Sequence, residues 1–214
     1  MITHPLLPKL RELRLSGMLN TLEVRTEQAL QEQLAPTQFL ALLLDDELER
    51  RSQKRLAEQM ARSGCDPNKT LAYFDFSAQP GISRSLISDL ATCTFVSRHE
   101  NILLCGPTGV GKSHLANALA IEALKRGQRV MSGSIHHILN DIHSARAHTS
   151  HPLLLSRLYT CDLLVLDDFG LQPLPPSAIQ DLYEIINERY ERGSLIVTSN
   201  RAFEEWGDVF ANDL

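Results

Sequence analysis

The octapeptide Gly106-Pro107-Thr108-Gly109-Val110-Gly111-Lys112-Ser113 decides the fold, because it matches the phosphate-loop pattern G-x-x-x-x-G-K-[ST] at every fixed position. From residue frequencies alone such a string arises in about one chain in a hundred of this length. Its surroundings tighten the reading. The apolar run Asn101 to Cys105 leads in and the alanine- and leucine-rich stretch His114 to Lys125 leads out, as a strand–loop–helix unit requires. Glycines let the main chain wrap closely around phosphate oxygens, while successive amides and the helix N-terminus supply partial positive charge. This assigns Gly106 through Ser113 to nucleotide binding, with Lys112 reaching the β and γ phosphates and the Ser113 hydroxyl ligating Mg²⁺. The competing reading is a glycine turn between a strand and a helix.

A polyphosphate with magnesium needs an oxygen ligand from across the site, and Leu163-Leu164-Val165-Leu166-Asp167-Asp168 offers one at the end of a buried strand. Asp167 is the candidate metal ligand, acting through the ion's water shell, and Asp168 the candidate for polarising an attacking water. A capping or surface acid pair is the alternative. A further apolar run, Ser194 to Ser199, ends at Asn200. If its strand lies between the P-loop strand and the acid-bearing strand, Asn200 stands beside the γ-phosphate and can orient water; otherwise it is a turn residue.

Further from the loop, short apolar runs alternate with helical patterns: Asn101 to Cys105, Arg129 to Ser132, Asp162 to Leu166 and Ser194 to Ser199, with helices at 112–126, 134–146 and 176–192. That grammar predicts an α/β fold, a P-loop parallel sheet with flanking helices. Ahead of it, Leu6, Leu10 and Leu13, then Phe39, Leu43, Leu44 and Leu48, fall at helical spacing. Pro36 suits the first turn of the second helix and Gly64 its end. The expected division is a small all-helical N-terminal domain over 1–66, binding DNA or a partner, and an ATPase core over 67–214.

The 214 residues are 43% hydrophobic and 22% charged, ordinary globular values that exclude a wholly disordered chain. A net charge of -5 predicts no global field for nucleic acid, so any basic surface is local. The longest apolar run, Phe39 to Leu44, is too short to span a membrane. The N-terminus shows no signal-peptide pattern, and the four cysteines form no CxxC pair, so a cytoplasmic, reducing location is expected.

Cys105 to Leu115, Leu163 to Gly170 and Val197 to Arg201 together resemble the AAA+ ATPases of the IstB and DnaC group, most nearly the IstB-like helpers. The aromatic segment Thr70 to Phe76 and the Leu-, Glu- and Arg-rich region before it extend the resemblance over most of the chain. The resemblance implies a bacterial DNA-binding ATPase encoded by an insertion sequence. Such a protein self-associates on duplex DNA with ATP and Mg²⁺ and recruits or stimulates a cognate transposase, with hydrolysis serving disassembly. It also places His114 next to the nucleotide, although a packing role reads more readily. Family members continue beyond the match with an Asp-Arg element, a final strand and another basic residue. A chain incomplete at its C-terminal end, with weak turnover and the P-loop strand at a sheet edge, is therefore expected.

DNA-contact candidates are Arg50, Arg51, Lys54 and Arg55 on one helix, although Asp46 and Glu47 four residues earlier can neutralise part of that face. Arg146 and Arg157 are the phosphate ligands available in the stretch where initiator-type relatives carry a DNA-touching helix. The histidines His136, His137, His143, His148 and His151 match no metal-ligand spacing. Two alternative functions use the same core: a DnaC-like loader of a replicative helicase, and a nucleotide-gated DNA scaffold with little turnover.

Overall fold

The computed structural model describes residues 5–79, 81–146 and 149–210. The chain divides into two compact units, Met1–Glu58 and Gln59–Leu214, so the division falls inside a helix rather than after residue 66. His148 lies outside the described residues. No helix among those described is long and apolar enough to cross a membrane.

The first unit holds α1 (Leu6–Glu12), α2 (Ser16–Gln31) and most of α3 (Pro36–Ser63), the last bounded by the Pro36 and Gly64 signals. Its core is small: Met18, Leu22 and Leu43, with Leu7, Leu10, Leu15 and Phe39 packed around them. Of the four periodic residues of α3, only Leu43 is buried, and Leu44 and Leu48 face solvent. Polar bonds supplement this core. Glu47, 4% exposed, accepts the Gly17 amide at 2.6 Å and takes Arg51 and Arg50 at 2.7 and 3.1 Å. Burial opposes its charge, yet those donors prevail and hold its pKa down at about 2. Asp46, held by Arg25 at 2.7 Å, is also lowered to about 2.

In the second unit α4 (Arg84–Leu90) and α5 (Thr94–Ser97) precede a four-stranded parallel sheet. The strands are β1 (Ile102–Cys105), β2 (Val130–Ser134), β3 (Leu163–Phe169) and β4 (Ser194–Ser199), in the order β1-β4-β3-β2. The central strands bury both faces, so they read as continuous apolar runs, whereas edge strand β1 alternates. Four helices connect or cover the strands: α6 (Lys112–Lys125), α7 (Ile135–Ala145), α8 (His151–Thr160) and α9 (Pro176–Arg189). Alanines 116, 118, 120 and 123 of α6 are buried to 1% or less. Small side chains let that helix lie close to the sheet. Helix α8 has no separate sequence prediction, because its Leu153-Leu154-Leu155 run carries no helical period.

Two features fix the frame around the site. Gly64 has φ +78°, and a Cβ there would lie 2.1 Å from the Ser132 carbonyl oxygen, so the exit of α3 lies flush against β2. Arg189, 1% exposed, donates to the carbonyls of Leu158, Cys161 and Ser194 at 2.7–2.8 Å, tying α8 to the entrances of β3 and β4. Arg189→Ala strips donors from buried carbonyls and leaves a cavity. A loss of about 3–5 kcal/mol in unfolding free energy is expected, read from urea denaturation of the variant beside the parent.

Candidate nucleotide and metal site

The P-loop leaves the end of β1, and the Gly106 amide donates to the Ser199 carbonyl at 3.2 Å, so the loop starts beside the end of β4. Pro107, Thr108 and Gly109 are exposed, and Val110 leads into Gly111, the cap residue of α6. Gly111 has φ +85°, and a Cβ there would meet the Phe74 ring at 2.8 Å. The position is closed to side chains by dihedral and space together. The Lys112 ammonium donates to the Pro107 carbonyl at 2.8 Å, folded back across its own loop.

His114 serves packing here. Its Nε2 lies 2.8 Å from the Thr70 carbonyl and its ring stands edge-on to Phe74, centroids 5.4 Å apart. Phe74 is buried in a cluster with Ile87 and Leu115. One turn further along α6, the buried Asn117 accepts the Asp66 amide and donates to the carbonyls of Asp66 and Lys69 at 2.8–2.9 Å. The segment leading from α3 is thereby fastened along the P-loop helix.

Across from Ser113 the pairing of β3 with β4 is interrupted between Leu166 and Phe169. This bulge lifts Asp167 and Asp168 from the ladder. Asp168 takes a left-handed φ of +61°, a conformation costing a non-glycine residue about 1–3 kcal/mol, and its amide donates to Thr198 Oγ1 at 3.0 Å. The same hydroxyl donates to Asp167 Oδ1. Ser113 and Asp167 line one polar cavity of about 160 Å³, together with Lys69, Asn117, Ser132 and Ser134. Asn200 follows β4 directly, exposed and without a side-chain hydrogen bond among the described residues.

Residues 8–214 match the family model described as IstB-like ATP binding protein. The chain belongs to that family. It is 34% identical over 209 residues to an insertion sequence IS21 protein of Pseudomonas aeruginosa named for ATP binding, covering 98% of this chain and 79% of that one. A Mycobacterium tuberculosis insertion-sequence protein of similar name is 37% identical over 205 residues, covering 95% and 81%. Among solved structures, an AMPPCP-bound DnaA from Aquifex aeolicus aligns with TM-score 0.57 at 22% identity, over 67% of this chain and 45% of that one. A DnaC helicase loader aligns with TM-score 0.52 at 21% identity, over 59% and 76%. This chain spans less than half the length of that DnaA, and the likeness establishes the AAA+ P-loop fold.

In this IstB-like protein the second acid of the pair, Asp168, has a perturbed carboxyl. Burial first, then the neighbouring Asp167 carboxylate, push Asp168 above the usual carboxylate range, while Lys112, His136 and Lys69 pull it back. Lys69, Asn117 and Thr198 escaped the sequence reading. Each sits outside the P-loop and acid-pair strings, and only partners 30 or more residues away reveal a role.

The basic candidates separate as well. Arg50 and Arg51 both pair with Glu47, Lys54 stands 3.8 Å from Glu58, and Arg146 is bonded to Asp181 of α9. Arg55 and Arg157 have no carboxylate partner among the described residues. Arg157 lies against Arg62, its Nη2 3.5 Å from that carbonyl, and both border a cavity of about 280 Å³ with Arg129, which pairs with Asp162 at 2.7 Å. This cavity opens at the amino ends of β2 and β3, away from Ser113.

A pKa raised in the folded state favours folding only while Asp168 is protonated, and that contribution is lost as pH rises through the folded value. Asp168→Asn mimics the protonated acid. It is expected to unfold at a higher temperature than the parent at neutral pH, the gap closing as pH falls through the carboxylate range, which melting curves across pH will show.

Proposed function

We propose that this chain is an ATP-dependent, DNA-binding helper of insertion-sequence transposition: it binds ATP with Mg²⁺, assembles on duplex DNA, engages a cognate transposase and hydrolyses ATP to leave. The observation that carries the reading is that Ser113, the last residue of a complete P-loop, shares one polar cavity with Asp167. The donors fit the ion. A hydroxyl and a carboxylate are hard oxygen ligands, and Thr198 occupies only Oδ1 of Asp167, so Ser113 and Asp167 would hold the ion. Held there, Mg²⁺ would supply neutralisation of the phosphate charge.

The chain's own residues do the rest. Lys112 exchanges the Pro107 carbonyl for phosphate oxygens, and the amides of Gly109 to Ser113 close around them. Burial and the neighbouring Asp167 carboxylate raise the proton affinity of Asp168, which suits a base that polarises water and takes its proton. Water adds to the γ phosphorus as the bond to the bridging oxygen breaks, giving ADP and phosphate, and the proton passes to Asp168 or solvent. Asn200, with a free amide beside the P-loop, orients that water.

For DNA, Arg157 and Arg62, which have no carboxylate partner among the described residues, favour the α8 end of the core over Arg50 and Arg51, which share Glu47. Relatives named for insertion sequences support a transposase as the partner.

Lys112→Ala removes charge-assisted contacts worth about 1.5–3 kcal/mol each, so ATP affinity by calorimetry should fall at least about tenfold. Unchanged affinity counts against this pocket. Replacing Arg62 and Arg157 together by alanine should make the salt dependence of DNA binding shallower by about one power of salt per lost phosphate contact, with little change in sequence preference. An unaltered slope moves the DNA to another face. Electron microscopy with duplex DNA and a non-hydrolysable ATP analogue completes the test: nucleotide-dependent assemblies support the helper, and binding only to a helicase hexamer replaces it with a loader.

A further inference from the structure

Thr198 sits at the middle of the site's framework and belongs to neither motif that defines it. It is 0% exposed on central strand β4, in register with Leu104 of β1, two residues before Asn200. Its hydroxyl has one hydrogen to give, and gives it to Asp167 Oδ1. Its lone pair accepts the Asp168 amide at 3.0 Å, so a single atom holds the side chain of one acid and the backbone of the next.

Both bonds fall where β3 has left its ladder with β4, at the bulge between Leu166 and Phe169. Without them the Asp168 amide faces β4 with no partner, and nothing on the strand side opposes rotation of the Asp167 carboxylate. With Oδ1 engaged by that donor, Oδ2 is the oxygen left without a hydrogen bond among the described residues, and Asp167 lines the cavity shared with Ser113. A valine of the same shape fills the space and supplies neither bond.

We infer that Thr198 is the positioning residue of the metal site: its hydroxyl sets the Asp167 carboxylate in the orientation that receives Mg²⁺ and holds the bulge that presents Asp168. The inference rests on the proposed nucleotide and metal site. Partners that orient a ligand commonly carry a ten- to hundredfold share of metal affinity, roughly the scale to look for here.

The test titrates Mg²⁺ against the full 214-residue chain bound to a fluorescent ATP analogue, with parallel measurements in EDTA and melting curves as a folding control. Thr198→Val is expected to bind the analogue in EDTA as the parent does, yet to need about ten to a hundred times more Mg²⁺ for half of the metal-dependent gain. Thr198→Ser, which retains the hydroxyl, is expected to recover most of that loss. A folded Thr198→Val protein with an unchanged Mg²⁺ requirement overturns the inference, as does an equal loss of binding in EDTA. Asp167→Asn separates the two levels. If it shifts the Mg²⁺ requirement while Thr198→Val does not, only the role of Thr198 falls; if it shifts nothing, the metal assignment falls and this inference with it. Should Thr198→Val fail to fold, Thr198→Cys, a weaker donor, takes its place with the same expected shift and the same overturning result.

Discussion

The central place of β4 is the constraint on which the carboxyl edge of the sheet depends. With β4 between β1 and β3, Ser199 lies beside Cys105 and Gly106 on one side and faces the bulged end of β3 on the other. That order brings the P-loop, the acid pair and the turn that begins at Asn200 to one edge of the sheet. Such a strand must be buried along its whole length, yet Ser194, Thr198 and Ser199 carry hydroxyls into the core. Each is satisfied: Ser194 donates to the Phe95 carbonyl, Ser199 to the Phe169 carbonyl and Thr198 to Asp167. The polar groups of the core therefore lock its neighbours instead of weakening it.

Two carboxylates, one in each unit, are shifted in opposite directions. Glu47 is almost wholly buried but receives an amide and two guanidinium groups, so it stays charged and pins α2 to α3. Among the described residues Asp168 receives no such donors to its carboxylate, and burial first, then the neighbouring Asp167, disfavours its charge. Supply of donors, more than depth, separates an acid that holds helices together from one left ready to exchange a proton.

The P-loop was legible because its information is contiguous: eight residues carry the backbone demands and the charge together. The acid pair was legible because its apolar run follows the P-loop unit in an alternation of short apolar and helical stretches; Phe39 to Leu44 also stops at two carboxylates, Asp45 and Asp46, yet lies in helix α3. The limits show equally well in particular residues. From local spacing Asp46 should pair with Arg50; in the fold Asp46 turns to Arg25 on another helix, and Glu47 serves both Arg50 and Arg51. The partnership of Arg157 with Arg62 spans 95 residues, and that of Thr198 with the acids about 30. Periodicity reports which face of an element is apolar, and it carries no information about which distant side chain will stand opposite.

The left-handed backbone at residue 168 limits which amino acids can occupy that position. Asparagine and aspartate are the side chains that tolerate this dihedral best, whereas a longer glutamate gains reach but meets the steric penalty in full. Chain geometry and proton chemistry thus select the same short acid. An alanine scan at this residue therefore conflates backbone relaxation with loss of the carboxylate, and asparagine is the replacement that changes the chemistry while leaving the main chain where it is.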